Sequence, residues 1–190
     1  MRIIKIQNED LSVKDIWSDF STGDYIELMD LNSKSKDMLP EIFLVKFISI
    51  LTGKDENFIN NLYEEELVEI QDVITTFQQN EFKEVEKRTF LINDVLYSWK
   101  NPNQLTLGEK ISIKLLEKES KSQFENWLNL LAILVRPAKE KINEFGETEY
   151  ILDPFDGNID TLNKRKELFK QIPGVNSMFI INSFIAGRPS

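Results

Sequence analysis

The sequence predicts an α+β protein that is predominantly α-helical. Three observations carry that reading. From Trp127 to Val135 only Asn129 is polar, so apolar residues cover every side of a helical wheel and this helix is expected to be surrounded by other elements. Ile42, Phe43, Leu44, Val45, Phe47, Ile48, Ile50 and Leu51 repeat that composition in a second helix. Between Thr89 and Trp99, two short apolar halves flank Asn93-Asp94, the pattern of a β-hairpin without the favoured Asn-Gly pair.

Taken in order, Arg2 to Gln7 alternates, with Ile4 and Ile6 on one face, and reads as a short strand. Ser12 has the look of an N-cap, with Asp15 three residues on, and Val13, Ile16, Trp17 and Phe20 keep helical spacing up to Gly23. Tyr25 to Leu31 fits strand or helix, with helix preferred, and Asn32 to Asp37 reads as a polar loop. Pro40 suits a first helical turn, which places the second buried helix over 42–52 with Gly53 as its stop. Asp55 to Leu62 is a short helix. Glu64, Glu65 and Glu66 open another that runs to Phe77, acids that sit well against a helix N-terminus.

Lys83 to Lys87 is charged and is the best internal boundary, dividing an N-terminal helical half, 1–82, from a C-terminal half, 83–190. One compact domain with an internal pseudo-repeat is the alternative. After the hairpin and the Asn101-Pro102-Asn103 turn, Thr106 caps a helix ending at Glu119. The central helix follows over 124–136. Pro137 is expected to stop it, because proline lacks the N–H and biases Arg136 away from helix. A polar linker then runs to Gly146, Glu149 to Leu152 is a strand candidate, and Asp153 to Asn158 is a turn-rich loop. Ile159 to Ile172 and Val175 to Ala186 are helices broken by Pro173-Gly174, with a tail from Gly187.

The halves echo one another. Leu11-Ser12-Val13-Lys14-Asp15 matches Leu105-Thr106-Leu107-Gly108-Glu109, and Phe47 to Gly53 matches Leu130 to Arg136. A duplicated strand/helix unit around the two buried helices is one reading; a chance match between helical stretches is the other.

Composition bounds the chemistry. The chain has 190 residues, no cysteine and no histidine. Disulfides, thiolate metal sites and cysteine nucleophiles are thereby excluded, as are the commonest general base and metal ligand. A formal charge of −9 argues against free nucleic-acid binding, which requires neutralising phosphates, and suits protein partners. The N-terminus reads as no secretory signal and no apolar run approaches a membrane span, so synthesis in a cytoplasm and no membrane partner are expected.

Several constellations invite a chemical reading. Asp156, Asn158, Asp160 and Glu167 have the spacing of a calcium loop, but Thr161 stands where the turn glycine belongs and Lys164, Arg165 and Lys166 bring positive charge. A turn leading into a helix whose N-terminus favours nearby acids is the preferred explanation. Glu64, Glu65, Glu66 and Glu69 could form an acidic docking face or a metal cluster, but a solvated helix start explains them more simply. Ser120 and Ser122 lie beside Lys118 and Lys121, without the spacing that marks a serine–lysine dyad. Lys110, Lys114, Lys118 and Lys121 stripe one helix face, either solvated or facing an acidic partner. Phe155, Phe169, Phe179 and Phe184, with Ile180, Ile181 and Ile185, finish the core or form a subunit contact. No catalytic, cofactor-binding or metal-binding residue is assigned, and no cofactor is expected.

Leu105-Thr106-Leu107-Gly108-Glu109, Ala132 to Pro137 (Ala-Ile-Leu-x-Arg-Pro), Tyr150 to Gly157 and the Phe-rich stretch Leu168 to Phe184 resemble a family found in tailed bacteriophages, notably those infecting Bacteroidetes and marine bacteria. Ile50-Leu51-Thr52-Gly53 and the helix from Leu62 to Phe77 fit the same family. The chain departs from it at Ile113-Lys114-Leu115, where an aspartate is expected. The resemblance implies a virion or morphogenesis protein, non-enzymatic, located in the virion and partnered by other phage structural proteins and copies of itself. Some members are labelled tail assembly chaperones, which implies a second role, binding the tape-measure protein. An Asp- or Glu-dependent hydrolase using Asp153 or Asp156 is a third reading, from the residues alone.

Overall fold

The computed structural model describes residues 1–6 and 9–187; Gln7, the last residue of the predicted first strand, and 188–190 of the predicted tail lie outside them. The protein is α+β; among the described residues it is 57% helical, with antiparallel sheets of two and four strands. The chain forms two compact units. The first holds Met1–Lys83 with Pro173–Val175, and the second holds Glu84–Ile172 with the chain from Asn176.

The first unit begins with a hairpin, β1 (Arg2–Ile6) against β2 (Glu9–Val13), in a register that sets Arg2 opposite Val13 and Ile6 opposite Glu9. The expected helix at Ser12 is therefore absent. Ser12 pairs with Ile3 in the ladder, and alternate residues Ile4, Ile6, Leu11 and Val13 are buried while Ile3, Lys5, Asp10 and Ser12 are exposed. Period two wins because the partner strand supplies the backbone hydrogen bonds that an isolated helical turn would have needed. Only a 3-10 turn, Trp17–Asp19, survives of the predicted helix.

Helix α1 (Thr22–Lys34) starts from a capping box between Ser21 and Asp24, so Gly23 lies inside its first turn rather than ending an earlier helix. The helix, continued by a 3-10 turn at Ser35–Asp37, occupies the whole stretch from Asn32 to Asp37 expected to be loop. Helix α2 (Pro40–Thr52) has Pro40 at its start and Gly53 in the left-handed region, φ 69°, at its end. Phe47, Ile48 and Leu51 are buried, while Ile42 near its start is exposed. Asp55 caps α3 (Glu56–Asn60), and α4 (Glu64–Gln79) buries Ile70, Val73, Ile74 and Phe77. Trp17 joins these elements. Its ring lies 4.6 Å from Phe77 and 5.2 Å from Phe82, and its Nε1 donates to the Asn80 carbonyl at 3.0 Å. A Cβ at Gly53 would meet nothing within 4 Å, so Gly53→Ala tests backbone preference alone. It is expected to cost about 1 kcal/mol, read as an urea-midpoint shift without a change in slope.

The second unit carries the sheet β3-β4-β5-β6. Strands β3 (Thr89–Ile92) and β4 (Val95–Trp99) form the predicted hairpin, with Asn93 at φ 50° and Asp94 at φ 60°. Two successive left-handed residues make a turn whose twist matches the strands, and Asn and Asp tolerate that region best after glycine. Helix α5 (Leu107–Glu119) is capped by Thr106 as expected. Helix α6 (Gln123–Leu134) is the predicted core helix, with every residue from Leu128 to Leu134 buried.

The end of α6 departs from expectation. The helix stops at Leu134, not at Pro137, and passes without a loop into β5 (Val135–Ile142). The expected linker is this strand as far as Ile142 and a hairpin turn from Asn143 to Gly146. Val135, Arg136 and Pro137 pair with β4, and Ala138 to Ile142 pair with β6 (Thr148–Leu152). Pro137 sits where one ladder hands over to the other, a place where its missing N–H is tolerated, and its carbonyl accepts from the Asp153 N–H at 2.8 Å. Helices α7 (Ile159–Phe169) and α8 (Gly174–Ala186) complete the unit, apart from the first residues of α8. Phe169 is buried, with its ring edge-on to Tyr97 at 5.5 Å.

The proposed echo does not extend to local structure. Leu11 to Val13 is strand, whereas Leu105 to Leu107 leads into a helix. Phe47 to Thr52 ends on a left-handed cap, whereas Leu130 to Arg136 crosses from helix to strand.

Candidate functional site

Two features of the second unit stand out: a buried ion cluster and an open groove beside α5. The cluster starts from a capping box. Thr106 Oγ1 accepts from the Glu109 N–H, and Glu109 Oε2 accepts from the Thr106 N–H and hydroxyl at 2.6 and 2.9 Å. The same carboxylate is fully buried and bonds Arg136 Nη2 at 2.8 Å and Lys100 Nζ at 2.9 Å. Arg136 is 3% exposed. Burial is the largest influence on Glu109 and pushes its carboxyl up. The Thr106 N–H, Lys100, the Thr106 hydroxyl and Arg136 together outweigh it, so the group ionises below its ordinary range. Burial pulls the Arg136 guanidinium down and Glu109 pushes back; a guanidinium still stays protonated.

The cluster fastens the start of α5 to the point where α6 becomes β5. It also joins three stretches singled out in the sequence. Glu109 comes from Leu-Thr-Leu-Gly-Glu and Arg136 from Ala-Ile-Leu-x-Arg-Pro, while Asp153 of the Tyr150 to Gly157 stretch adds favourable charge to Arg136. Every charge has a structural partner, so the arrangement suits anchoring. Arg136 Nε and Asn129 Oδ1 are buried without a hydrogen-bond partner among the described residues.

The groove, of about 570 Å³, lies between α5 and the end of α8, and includes Leu105, Leu107, Ile111, Ile113 and Phe184 with Lys110 and Lys114. Three residues of α5 at helical spacing, Leu107, Ile111 and Leu115, are 74%, 49% and 53% exposed. The exposed lysine row runs beside this apolar row. Among the described residues, no acid pairs with Lys110, Lys114, Lys118 or Lys121. An apolar row edged by cations is a surface suited to another polypeptide.

The other sequence candidates have local roles. Asn158 Oδ1 accepts from the N–H groups of Asp160 and Thr161, capping α7, and Asp156 accepts from the Asn158 N–H. That bond is the largest influence on Asp156 and holds its carboxyl below the ordinary range. Among the described residues, no three acids converge as a metal-binding group. Glu66 Oε2 accepts the Tyr63 N–H, while Glu64, Glu65 and Glu69 are exposed. Ser120 Oγ donates to the Leu116 carbonyl and accepts from Asn129, and Ser122 caps α6; both serines are held at helix ends. Ile180, Ile181 and Phe184 are core, Phe155 and Phe179 are half-buried, and Ile185 is exposed.

Sequence reasoning missed the Glu109–Arg136 pair. The capping-box spacing from Thr106 to Glu109 was a usable signal for one partner; nothing in the sequence pointed from Glu109 to Arg136. Comparison with protein-family models, curated proteins and solved structures finds no match.

Proposed function

We propose that the chain is a non-enzymatic structural component of a tailed-bacteriophage particle, at the neck, tail or capsid interior. It works through contacts with other particle proteins and with copies of itself. The observation that carries this reading is the α5 face: an exposed apolar row beside lysines without acidic partners among the described residues, on a chain of charge −9. Such a row would lower its free energy on burial against a neighbour, and the lysines would select an acidic one.

Mass spectrometry of purified virions of the encoding phage tests the reading, with the chain expected in the particle. The groove favours one alternative, a tail assembly chaperone that shelters apolar segments of a tape-measure protein. Presence in infected-cell lysate with absence from virions would select it. Hydrolytic turnover lost in Asp153→Asn or Asp156→Asn, with the fold intact, would replace both.

A further inference from the structure

We propose that the tip of the β5–β6 hairpin of one copy seats in the α5–α8 groove of a neighbouring copy. This deepens the structural-subunit reading, on which it rests for its setting in a particle.

The tip is built to present apolar side chains. Phe145 is 80% and Ile142 is 72% exposed. The backbone beneath them is locked. Asn143 Oδ1 accepts from the N–H groups of Phe145 and Glu147 at 3.0 and 2.9 Å, and its Nδ2 reaches Glu149 Oε1 at 3.1 Å. The Gly146 N–H donates to the Asn143 carbonyl at 3.0 Å, and Gly146 takes φ 80°, where a side chain would be strained. Asparagine at the first position of such a turn and glycine at the left-handed position fix the loop between the strands. A locked tip loses little conformational freedom on binding, which favours affinity.

The charges around the two surfaces are complementary. Glu144 and Glu147 flank Phe145, and Lys141 lies opposite Glu149 in the ladder. The groove carries Lys110 and Lys114, with Glu117 also in its wall. These opposite local charges would offset the general repulsion between copies that each bear −9. Neither Ile142 nor Phe145 lines the groove within the same copy, so the occupant comes from another. Tip and groove are different patches of one unit, which makes the contact head-to-tail. Each copy offers one tip and one groove, so the assembly grows until it closes as a ring or continues as a filament.

The test is a mixing experiment on the full chain, followed by sedimentation velocity over a concentration series. The unaltered protein is expected to form oligomers larger than dimers. Phe145→Glu removes the tip function at an exposed site, and the Lys110→Glu, Lys114→Glu double variant removes the groove function. Each alone is expected to associate on the order of 100-fold more weakly, with an unchanged circular dichroism spectrum. Mixed together, the two variants still possess one intact tip and one intact groove, and are expected to form 1:1 dimers and nothing larger. Added salt should loosen the contact, because the acid–lysine pairs are at the rim. A Phe145→Glu chain that oligomerises like the unaltered one, or a mixture that stays monomeric, would overturn the proposal. An unaltered chain that is monomeric throughout yet present in virions would also overturn it, leaving the structural-subunit reading in place. Oligomers of the expected kind from a chain absent from virions would uphold the contact and sink the particle assignment.

Discussion

Glu109→Gln is expected to destabilise the second unit by about 3 kcal/mol or more, because it leaves the Arg136 guanidinium buried without its anion. Glutamine keeps the shape of the side chain and part of the Thr106 cap, so the loss reports chiefly on charge. In thermal unfolding this corresponds to a fall of on the order of 10 °C. Glu109→Leu combined with Arg136→Met removes both charges together. That double variant should be less destabilised than Glu109→Gln, retaining the cost of the lost cap, about 1 kcal/mol, and of the anion that Lys100 loses. If Glu109→Gln melts with the unaltered protein, the cluster does not anchor α5 to β5.

The same carboxylate gives a pH dependence with a definite sign. Its folded-state pKa is below the ordinary 4.5, so in the folded protein it holds its proton more weakly than in the unfolded chain. The stability it contributes is therefore complete above the ordinary value and is lost as pH falls through the folded one. Acid titration of stability should show a smaller slope below pH 4.5 in the double variant than in the unaltered chain.

The second large effect is expected at Phe77→Ala in the first unit. Phe77 is buried, and its ring lies 4.6 Å from Trp17, 5.1 Å from Phe20 and 6.3 Å from Phe47. Removing it empties the middle of that aromatic cluster. A loss of about 3–5 kcal/mol is expected from transfer and cavity contributions together, against less than about 1.5 kcal/mol for Phe77→Leu, which keeps most of the volume. Denaturant unfolding followed by tryptophan fluorescence reads the first difference directly, since Trp17 contacts the altered site. A Phe77→Ala loss below the Phe77→Leu figure would mean that the cluster collapses around the gap.

Much of the helical frame was legible because its determinants are local. Pro40 and Gly53 bound α2, Asp55 begins α3 and Thr106 begins α5, each through a backbone preference or a side chain reaching three residues along. Asn93-Asp94 marks the β3–β4 turn for the same reason. The β1–β2 hairpin was misread because Ser12 and Asp15 imitate a helix start and Val13, Ile16, Trp17 and Phe20 imitate its period. The decisive partner, Arg2–Ile6, lies directly opposite Glu9–Val13 in the ladder, and a cap or a period read along one segment does not register which strand pairs with it. Of the candidate surface, the lysine row was visible in sequence, but the exposure of Leu107, Ile111 and Leu115 and of Phe145 was not. Apolar residues at helical spacing look the same whether another element covers them or not.

The sequence by itself determined the α+β class, the positions of most helices and the apolar character of α6, because caps, breakers and periodicity act within a few residues. Tertiary structure alone decided that α6 would turn into β5 at Val135, that Glu109 and Arg136 would meet, and that one row of α5 would stay uncovered. Each of these depends on which distant strand or side chain arrives to satisfy a backbone group, neutralise a charge or exclude water. No pattern along the chain records that.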